Sequence, residues 1–185
     1  MSSSLHKLPN EADVVKRAVA GDDRAFTKLY DAYVDSIFRF ILVRTSDRVT
    51  AEDLTSEVFK DAWLNLDDYQ HRGHPFSSWL FQIARNAVID HYRTRKEKAP
   101  LEAAADEPGP VRVEDEAVLS AEMDRILGAM DKLTELQQQV ITLRIIEGYP
   151  THEVAEIMNK NQGAIRALQM RGLRSLRRHV ENADE

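Results

Sequence analysis

Apolar residues recur at intervals of three and four along most of the chain, which is the period of an amphipathic helix. Such stripes run over 26–41, 54–66, 76–88 and 119–133, and again over 136–180. Sustained alternation of apolar and polar positions, which would indicate strands, does not occur. The pattern therefore predicts an all-α protein.

Several residues are typical of helix ends. Asp22 and Thr50 are predicted to cap the second and third helices, and Thr134 with Gln137 forms the pattern of a capping box. Gly148 is predicted to end the helix that begins at Thr134.

Residues 98–116 interrupt the helical pattern. The segment contains Pro100, Pro108 and Pro110, a run of alanines and an excess of acidic residues. This composition predicts a flexible acidic Pro/Ala linker. The chain is therefore divided into two small helical domains, 1–97 and 117–185, joined by the linker 98–116.

The C-terminal domain contains a short helix over 151–158, a three-residue turn and a longer basic helix, which is the helix-turn-helix pattern. Asn161 is predicted to cap the long helix, and Ile146 and Val180 are predicted to be buried. With Ile165 directed to the core, the opposite side of the long helix carries Arg166, Met170, Arg174 and Arg177, flanked by Arg171 and Arg178.

Early positions of a recognition helix reach base edges, and later cations bind phosphates. Gln162, Arg166 and Met170 are therefore predicted to lie nearest the bases. The alternative is a solvated basic helix end, which the helix dipole also favours.

Composition narrows the class of protein. The 185 residues include 25 Lys and Arg against 31 Asp and Glu, a net charge of −6, yet 158–180 contains six cations and no acid. The absence of Cys excludes disulfides, zinc–thiolate sites, iron–sulfur clusters and a Cys nucleophile. No apolar run reaches the roughly 18–20 residues of a membrane span, and the N-terminus lacks a signal-peptide core. We expect a cytoplasmic protein without a cofactor.

Two further surfaces invite interpretation. The third helix presents Asp53, Glu57, Lys60 and Leu64 opposite its apolar stripe, which suits either a partner surface with an apolar centre or a solvated face. The fourth helix presents a polar face and follows a loop rich in ring and cationic side chains, where an unpaired base could stack or the residues could simply be solvated. These residues are Tyr69, Gln70, His71, Arg72, His74, Gln82, Arg85, Asn86, Tyr92 and Arg93.

A metal-dependent hydrolase is a competing hypothesis from another class. Its ligands would be His71, His74, Asp90 and His91. Walker, nucleophile-elbow and dinucleotide-binding motifs are absent from the sequence.

Three segments resemble extracytoplasmic-function (ECF) sigma factors of the sigma-70 family. The run RVTAEDLTSEVFKDAW over 48–63 resembles their segment that binds core polymerase, and FSSWLFQIARNAVID over 76–90 resembles their promoter-melting helix. LTELQQQVITLR over 133–144, followed by Glu147-Gly148 and EVAEI over 153–157, resembles their C-terminal helix-turn-helix.

The resemblance implies a promoter-specificity subunit of RNA polymerase, with catalysis carried out by the polymerase. It implies docking on the polymerase β′ coiled coil through Asp53, Leu54, Ser56, Glu57 and Lys60. It implies recognition of the minus-10 element by Tyr69, His71, Arg72, Trp79, Gln82, Arg85, Asn86, Tyr92 and Arg93. The C-terminal domain would contact the β flap and read the minus-35 element through Asn161, Gln162, Arg166, Met170, Arg171, Arg174, Arg177 and Arg178.

Other partners follow from the same resemblance. An anti-sigma factor would occupy these faces, and the free chain would be a monomer. The recognition helix departs from the common pattern between Arg166 and Arg171, and Ser56 stands where Gln is common. The alternative function is a stand-alone helix-turn-helix regulator that binds an operator as a dimer.

Overall fold

The computed structural model describes residues 8–69, 75–98 and 125–181, without the side chains of 95–98 and 181. Every regular element in these ranges is helical, which confirms the predicted all-α class. Gln70, His71, Arg72, His74 and nearly all of the predicted linker lie outside the described residues.

The helices follow the order expected from the apolar stripes. The first domain contains α1 (Glu11–Val19), α2 (Asp23–Thr45), α3 (Arg48–Leu64), a 3-10 turn (Leu66–Asp68) and α4 (Phe76–Lys98). The second contains α5 (125–131), α6 (Glu135–Ile141), a π-helical turn (Thr142–Ile146), α7 (Thr151–Ile157) and α8 (Gln162–Glu181).

The helix caps confirm one prediction and correct another. The Asp22 carboxylate accepts hydrogen bonds from the backbone N–H groups of Arg24 and Ala25 at 3.0 and 3.2 Å, as an N-cap should. The prediction that Thr50 caps α3 is wrong. Asp47 is the cap, and its carboxylate accepts from the N–H of Thr50 at 2.9 Å. Ser46 ends α2 with a left-handed φ of 51°, so the next helix begins directly after Asp47.

The core of the first domain is built around α2, which packs against α1, α3 and α4. Leu29, Ile37, Val58 and Leu80 are fully buried there. Edge-to-face aromatic pairs, whose ring centroids are 4.7 Å apart, join α2 to α3 through Phe26–Trp63 and Tyr30–Phe59. Since α4 packs on both α2 and α3, α3 and α4 lie side by side with their polar sides outward.

Glu11 connects α1 to both α2 and α4 at one point. Its carboxylate accepts a short hydrogen bond from the hydroxyl of Tyr33 in α2. The other oxygen accepts from the N–H of Phe76, the first residue of α4, at 3.2 Å. Burial, together with the charge of Glu11, raises the pKa of Tyr33 well above its usual range. Glu11 therefore fixes where α4 begins.

We expect Glu11→Ala to lower the free energy of unfolding by about 1.5 kcal/mol, because a hydroxyl and a backbone N–H lose a charged acceptor. Urea denaturation monitored by circular dichroism measures this. Asp13→Ala, which removes an exposed acid from the same turn, is the matched control and should be nearly neutral. Equal losses in the two variants would contradict the role given to Glu11.

In the second domain, a π-helical turn explains a failed burial prediction. Ile146 was expected in the core but is 40% exposed, and Ile145 beside it is 51% exposed. A π-turn accommodates an extra residue, so it rotates the side chains that follow relative to a regular α-helix. Glu147, which follows, is directed inward and is 1% exposed.

Val180 is a second incorrect burial prediction, since it is 42% exposed. Ile165 and Leu168 of α8 are buried in the main core, and Leu176 packs against a smaller cluster. Val180 belongs to neither group, so α8 continues one turn past the core on which it packs.

The two domains are packed together, an arrangement that the sequence left open. The main core includes buried residues from both, and the rings of Phe81 in α4 and Tyr149 before α7 meet edge to face at 5.6 Å. A smaller cluster joins Val43 of α2 to Met130, Leu133 and Ile141. This packing therefore fixes where the polar faces of α3 and α4 lie relative to the exposed face of the second domain.

Candidate polymerase and nucleic-acid interfaces

The outer face of α3 is exposed, as the pattern predicts. Leu64, at its end, is 66% exposed, and the hydroxyl of Ser56 donates to the backbone carbonyl of Glu52 at 3.0 Å. The exposed residues of this α3 outer face are Asp53, Ser56, Glu57, Lys60 and Leu64. Leu54 does not belong to this exposed set. It is 6% exposed and lies in the core, on the same side of α3 as Val58.

Three aromatic rings form the beginning of the predicted minus-10 surface. Tyr69, Phe76 and Trp79 lie with their ring centroids 5.0–5.4 Å apart. Burial, with a smaller contribution from the charge of Glu11, raises the pKa of Tyr69 above its usual value. The cluster attaches the chain before residue 70 to the first turn of α4. His71 and Arg72, predicted for the same surface, lie outside the described residues.

The remaining predicted minus-10 residues separate into two groups along α4. Gln82, Arg85 and Asn86 are exposed and line a cleft together with Trp79. Tyr92 and Arg93 lie further along the helix. The Tyr92 hydroxyl donates to the Arg44 carbonyl at 2.7 Å, and Arg93 forms an ion pair with Asp90 at 3.0 Å. The structure thus brings the first group together and places the second nearer the far end of α4.

The recognition helix α8 presents its cations outward. Asn161 caps it, since its side-chain oxygen accepts from the N–H of Ala164 at 2.8 Å. Gly172 lies on the opposite side, where a β-carbon would be 3.1 Å from the Ile141 side chain, so α8 packs closely on α6. The exposed residues are Asn161, Gln162, Arg166, Met170, Arg171, Arg174, Arg177 and Arg178. The predicted outward direction of this face is confirmed.

The predicted minus-10 surface and the start of α8 face the same cleft, which measures about 1190 Å³. Trp79, Gln82 and Arg85 line one wall. The other wall includes Lys160 and Gln162, at the turn and the first residue of α8. The predicted minus-10 surface of the first domain and the start of α8 in the second domain therefore lie on opposite walls of this cleft.

A buried carboxylate connects the two domains. The Glu147 side chain is 0% exposed and accepts from the Ser36 hydroxyl at 2.7 Å. The Arg39 guanidinium donates to both of its oxygens, at 2.6 and 2.9 Å, and the hydrogen bond to Glu147 raises the pKa of Arg39. Ser36 and Arg39 both belong to α2, so this acid of the second domain is held by the first.

A second polar contact between the domains involves Glu135 at the start of α6. Its carboxylate lies 3.0 Å from the Arg44 guanidinium and 3.8 Å from that of Arg85. Arg44 is almost fully covered and lies over the Phe40 ring, and burial lowers its pKa from the usual value. Arg85, a predicted minus-10 residue, therefore already has an acidic neighbour in the second domain.

Sequence reasoning missed the residues that join the domains, chiefly Ser36, Arg39, Phe81 and Glu147. One signal was available in α2, where Ser36 interrupts the buried stripe between Tyr33 and Ile37. A buried polar residue in an apolar stripe needs a hydrogen-bond partner. Nothing in the local pattern showed that the partner lies 111 residues away.

Comparison with known proteins identifies the family. Sigma-70 region 2 matches residues 29–98, and Sigma-70 region 4 matches residues 129–178. The ECF RNA polymerase sigma factor BldN of Streptomyces coelicolor is 38% identical over 172 residues, covering 90% of this chain and 64% of BldN. The chain belongs to the sigma-70 family, in its extracytoplasmic-function group.

Two solved structures share the fold. CnrH, solved in complex with the cytosolic domain of CnrY, is 23% identical, with a TM-score of 0.74 and coverage of 95% of this chain and 99% of that one. The sigma factor RpoE of Bartonella quintana, solved with the anti-sigma factor NepR, is 22% identical, with a TM-score of 0.65 and coverage of 84% and 96%.

Two kinds of feature are absent from the described residues. Within 8–69, 75–98 and 125–181, no group of three or more His, Cys, Asp or Glu side chains could hold a metal ion. His71 and His74 lie outside these ranges. In the same part of the chain, no helix is both long enough and apolar enough to cross a membrane.

Proposed function

We propose that this chain is an alternative sigma factor that binds core RNA polymerase and directs it to promoters with minus-10 and minus-35 elements. One observation carries the proposal: α8 turns a continuous face of arginines away from the core, in a chain of the sigma-70 family. The arrangement suits a helix that enters the major groove, with early positions near bases and later cations near phosphates.

The first domain, proposed as 1–97, would dock on the β′ coiled coil through Asp53, Ser56, Glu57 and Lys60 of the α3 outer face. Leu54 would support this face from the core. The cleft residues of α4, with Tyr69, Tyr92, Arg93 and the loop at His71 and Arg72, would open and read the minus-10 element. The chain itself would have no catalytic role, because the polymerase forms the RNA.

The second domain, proposed as 117–185, would contact the β flap and read the minus-35 element through the exposed face of α8. An acidic linker over 98–116 would let two weak DNA-binding modules act together. An anti-sigma factor is a further proposed partner, supported by the complex of the relative RpoE with NepR. This function places the chain in the cytoplasm, as a monomer when free.

Run-off transcription tests the proposal. Purified chain is added to bacterial core polymerase on fragmented genomic DNA, and the transcript starts are sequenced. New starts that share two spaced upstream motifs are expected. No new starts, with active core and folded chain, would instead favour a stand-alone regulator, and operator selection with the free protein would identify its site.

The free chain is expected to bind promoter DNA only weakly, with a Kd of about 10⁻⁴–10⁻⁶ M at physiological salt, as for non-specific binding. The net charge of −6 opposes the phosphates outside the α8 face. Fluorescence anisotropy with a labelled promoter fragment, with and without core polymerase, measures the difference. Tight and sequence-specific binding by the free chain would contradict a sigma factor and support a regulator.

A further inference from the structure

The closed arrangement of the two domains conflicts with the geometry of a promoter, which is the starting point for an inference that rests on the proposed function. The two elements are centred about 25 base pairs apart, and at 3.4 Å per base pair this is about 85 Å. In the structure, α4 packs directly on α7, and the predicted minus-10 residues line the same cleft as Gln162 of α8. The closed chain therefore cannot reach both elements.

We propose that Glu147, held by Ser36 and Arg39, is a latch that keeps the free chain closed, and that it must open when the chain binds core polymerase. The three residues are called the Glu147 latch below. The carboxylate is completely covered, and its two donors lie on α2 of the opposite domain. The Arg39 side chain is 39% exposed, so the pair is sensitive chiefly to the loss of Arg39, which would leave the buried Glu147 carboxylate without its charged partner.

The latch adjoins an irregular turn in the second domain. At the end of the π-helical turn Ile145 and Ile146 lie outward, and Glu147 directly after it lies inward, against α2. The carboxylate is directed at a surface that belongs to the other domain. When the domains separate, water can solvate Glu147 and Arg39, so opening is possible without unfolding either domain.

Other contacts across the interface cooperate with the latch. Phe81 packs on Tyr149, and Glu135 is shared between Arg44 and Arg85. Arg85 lies on the predicted minus-10 surface, so closure places one of the proposed DNA contacts against an acid. Closure thus both shortens the reach of the chain and occupies part of its DNA-binding surface.

The latch is tested first by a distance measurement that does not depend on transcription. The chain has no Cys, so Lys28→Cys and Lys132→Cys, both at exposed positions, allow two spin labels to be attached, one on each domain. Pulsed electron paramagnetic resonance should give one narrow distance distribution for the otherwise wild-type chain. Glu147→Lys, which places two cations together in the interface, should shift the distribution to longer and broader distances.

Two further variants separate the latch from damage to the fold. Arg39→Glu combined with Glu147→Lys exchanges the charges and should restore the narrow distribution. Glu52→Lys makes the same change beside Arg48, an exposed ion pair of 2.9 Å within α3, and should leave the distance unchanged. A narrow wild-type distribution that Glu147→Lys leaves unaltered would overturn the latch, as would a broad wild-type distribution.

A reversible cross-link then tests the functional consequence. Ser46 and Asp131, whose side-chain oxygens lie 2.7 Å apart across the interface, are both replaced by Cys and joined with a short bis-methanethiosulfonate reagent. The cross-linked chain should start at least tenfold fewer transcripts than the same chain after reduction. Equal activity before and after reduction would overturn the inhibitory role of closure.

The wild-type chain separates this proposal from the proposed function. Because the wild-type chain contains no Cys, the cross-linking reagent cannot join its domains and reduction cannot release them. The wild-type chain should therefore be active both after treatment with the reagent and after reduction. An inactive wild-type chain would refute the proposed function, whereas the distance measurement would still decide whether the Glu147 latch holds the domains together.

Discussion

Replacing both Asp53 and Glu57 by Arg is expected to abolish transcription by this chain through loss of binding to core polymerase. The two carboxylates are exposed and one helical turn apart on the α3 outer face. A partner that fits this face would carry positive charge opposite them, and like charges placed together across an interface cost several kcal/mol. We expect the affinity for core polymerase to fall by about a hundredfold or more.

Binding of labelled chain to core polymerase and run-off transcription measure this effect together. Asp23→Arg with Asp31→Arg is the matched control, because it makes the same charge change at exposed positions of α2. Both double variants should keep the wild-type melting temperature within a few degrees, as surface substitutions usually do. Intact transcription in the α3 variant would show that this face does not dock on the polymerase.

Arg166→Ala is expected to weaken binding of the holoenzyme to its promoter by about 1–3 kcal/mol, and to relax the base preference at one minus-35 position. Arg166 lies in the first turns of α8, is exposed, and is 3.3 Å from the side-chain oxygen of Gln162. An arginine at this place in a recognition helix can donate two hydrogen bonds to a guanine edge. Its loss should therefore change specificity as well as affinity.

Arg174→Ala provides the comparison, since Arg174 is exposed two turns further along the same face. If Arg174 contacts a phosphate, the variant should bind all sequences more weakly by about the same factor. The slope of log affinity against log salt concentration should fall by about one unit. Promoter libraries randomised at the minus-35 element, assayed at several salt concentrations, distinguish the two results. An unchanged minus-35 preference in the Arg166 variant would place that residue away from the bases.

Local features of the sequence predicted the helices and much of the surface correctly. The stripe of α2, the cap at Asp22 and the outward cations of α8 each depend on neighbours within a few residues. The N-cap of α3 was predicted wrongly because two nearby residues could each have capped the helix. Thr50 and Asp47 are both residues that favour caps, and in the structure Asp47 is the cap while Thr50 lies in the first turn of α3.

Burial near an irregular turn was less predictable, because the helical period fails there. After the π-helical turn that follows Ile141, Ile146 lies at the surface, although the apolar stripe of a regular helix places it inside, and Glu147 lies in the interior. A π-turn has no strong signature in a single sequence, so only the structure shows which side of the helix the next residues occupy.

By itself, the sequence determined the all-α class, the helix-turn-helix and the identity of the exposed faces on α3 and α8, because periodicity and capping are local properties of the chain. Only the tertiary structure decided how the two domains meet. Ser36 and Arg39 lie 111 and 108 residues from Glu147, and their contact depends on the packing of whole helices. No pattern within one segment records such a contact, since each partner alone resembles an ordinary polar residue.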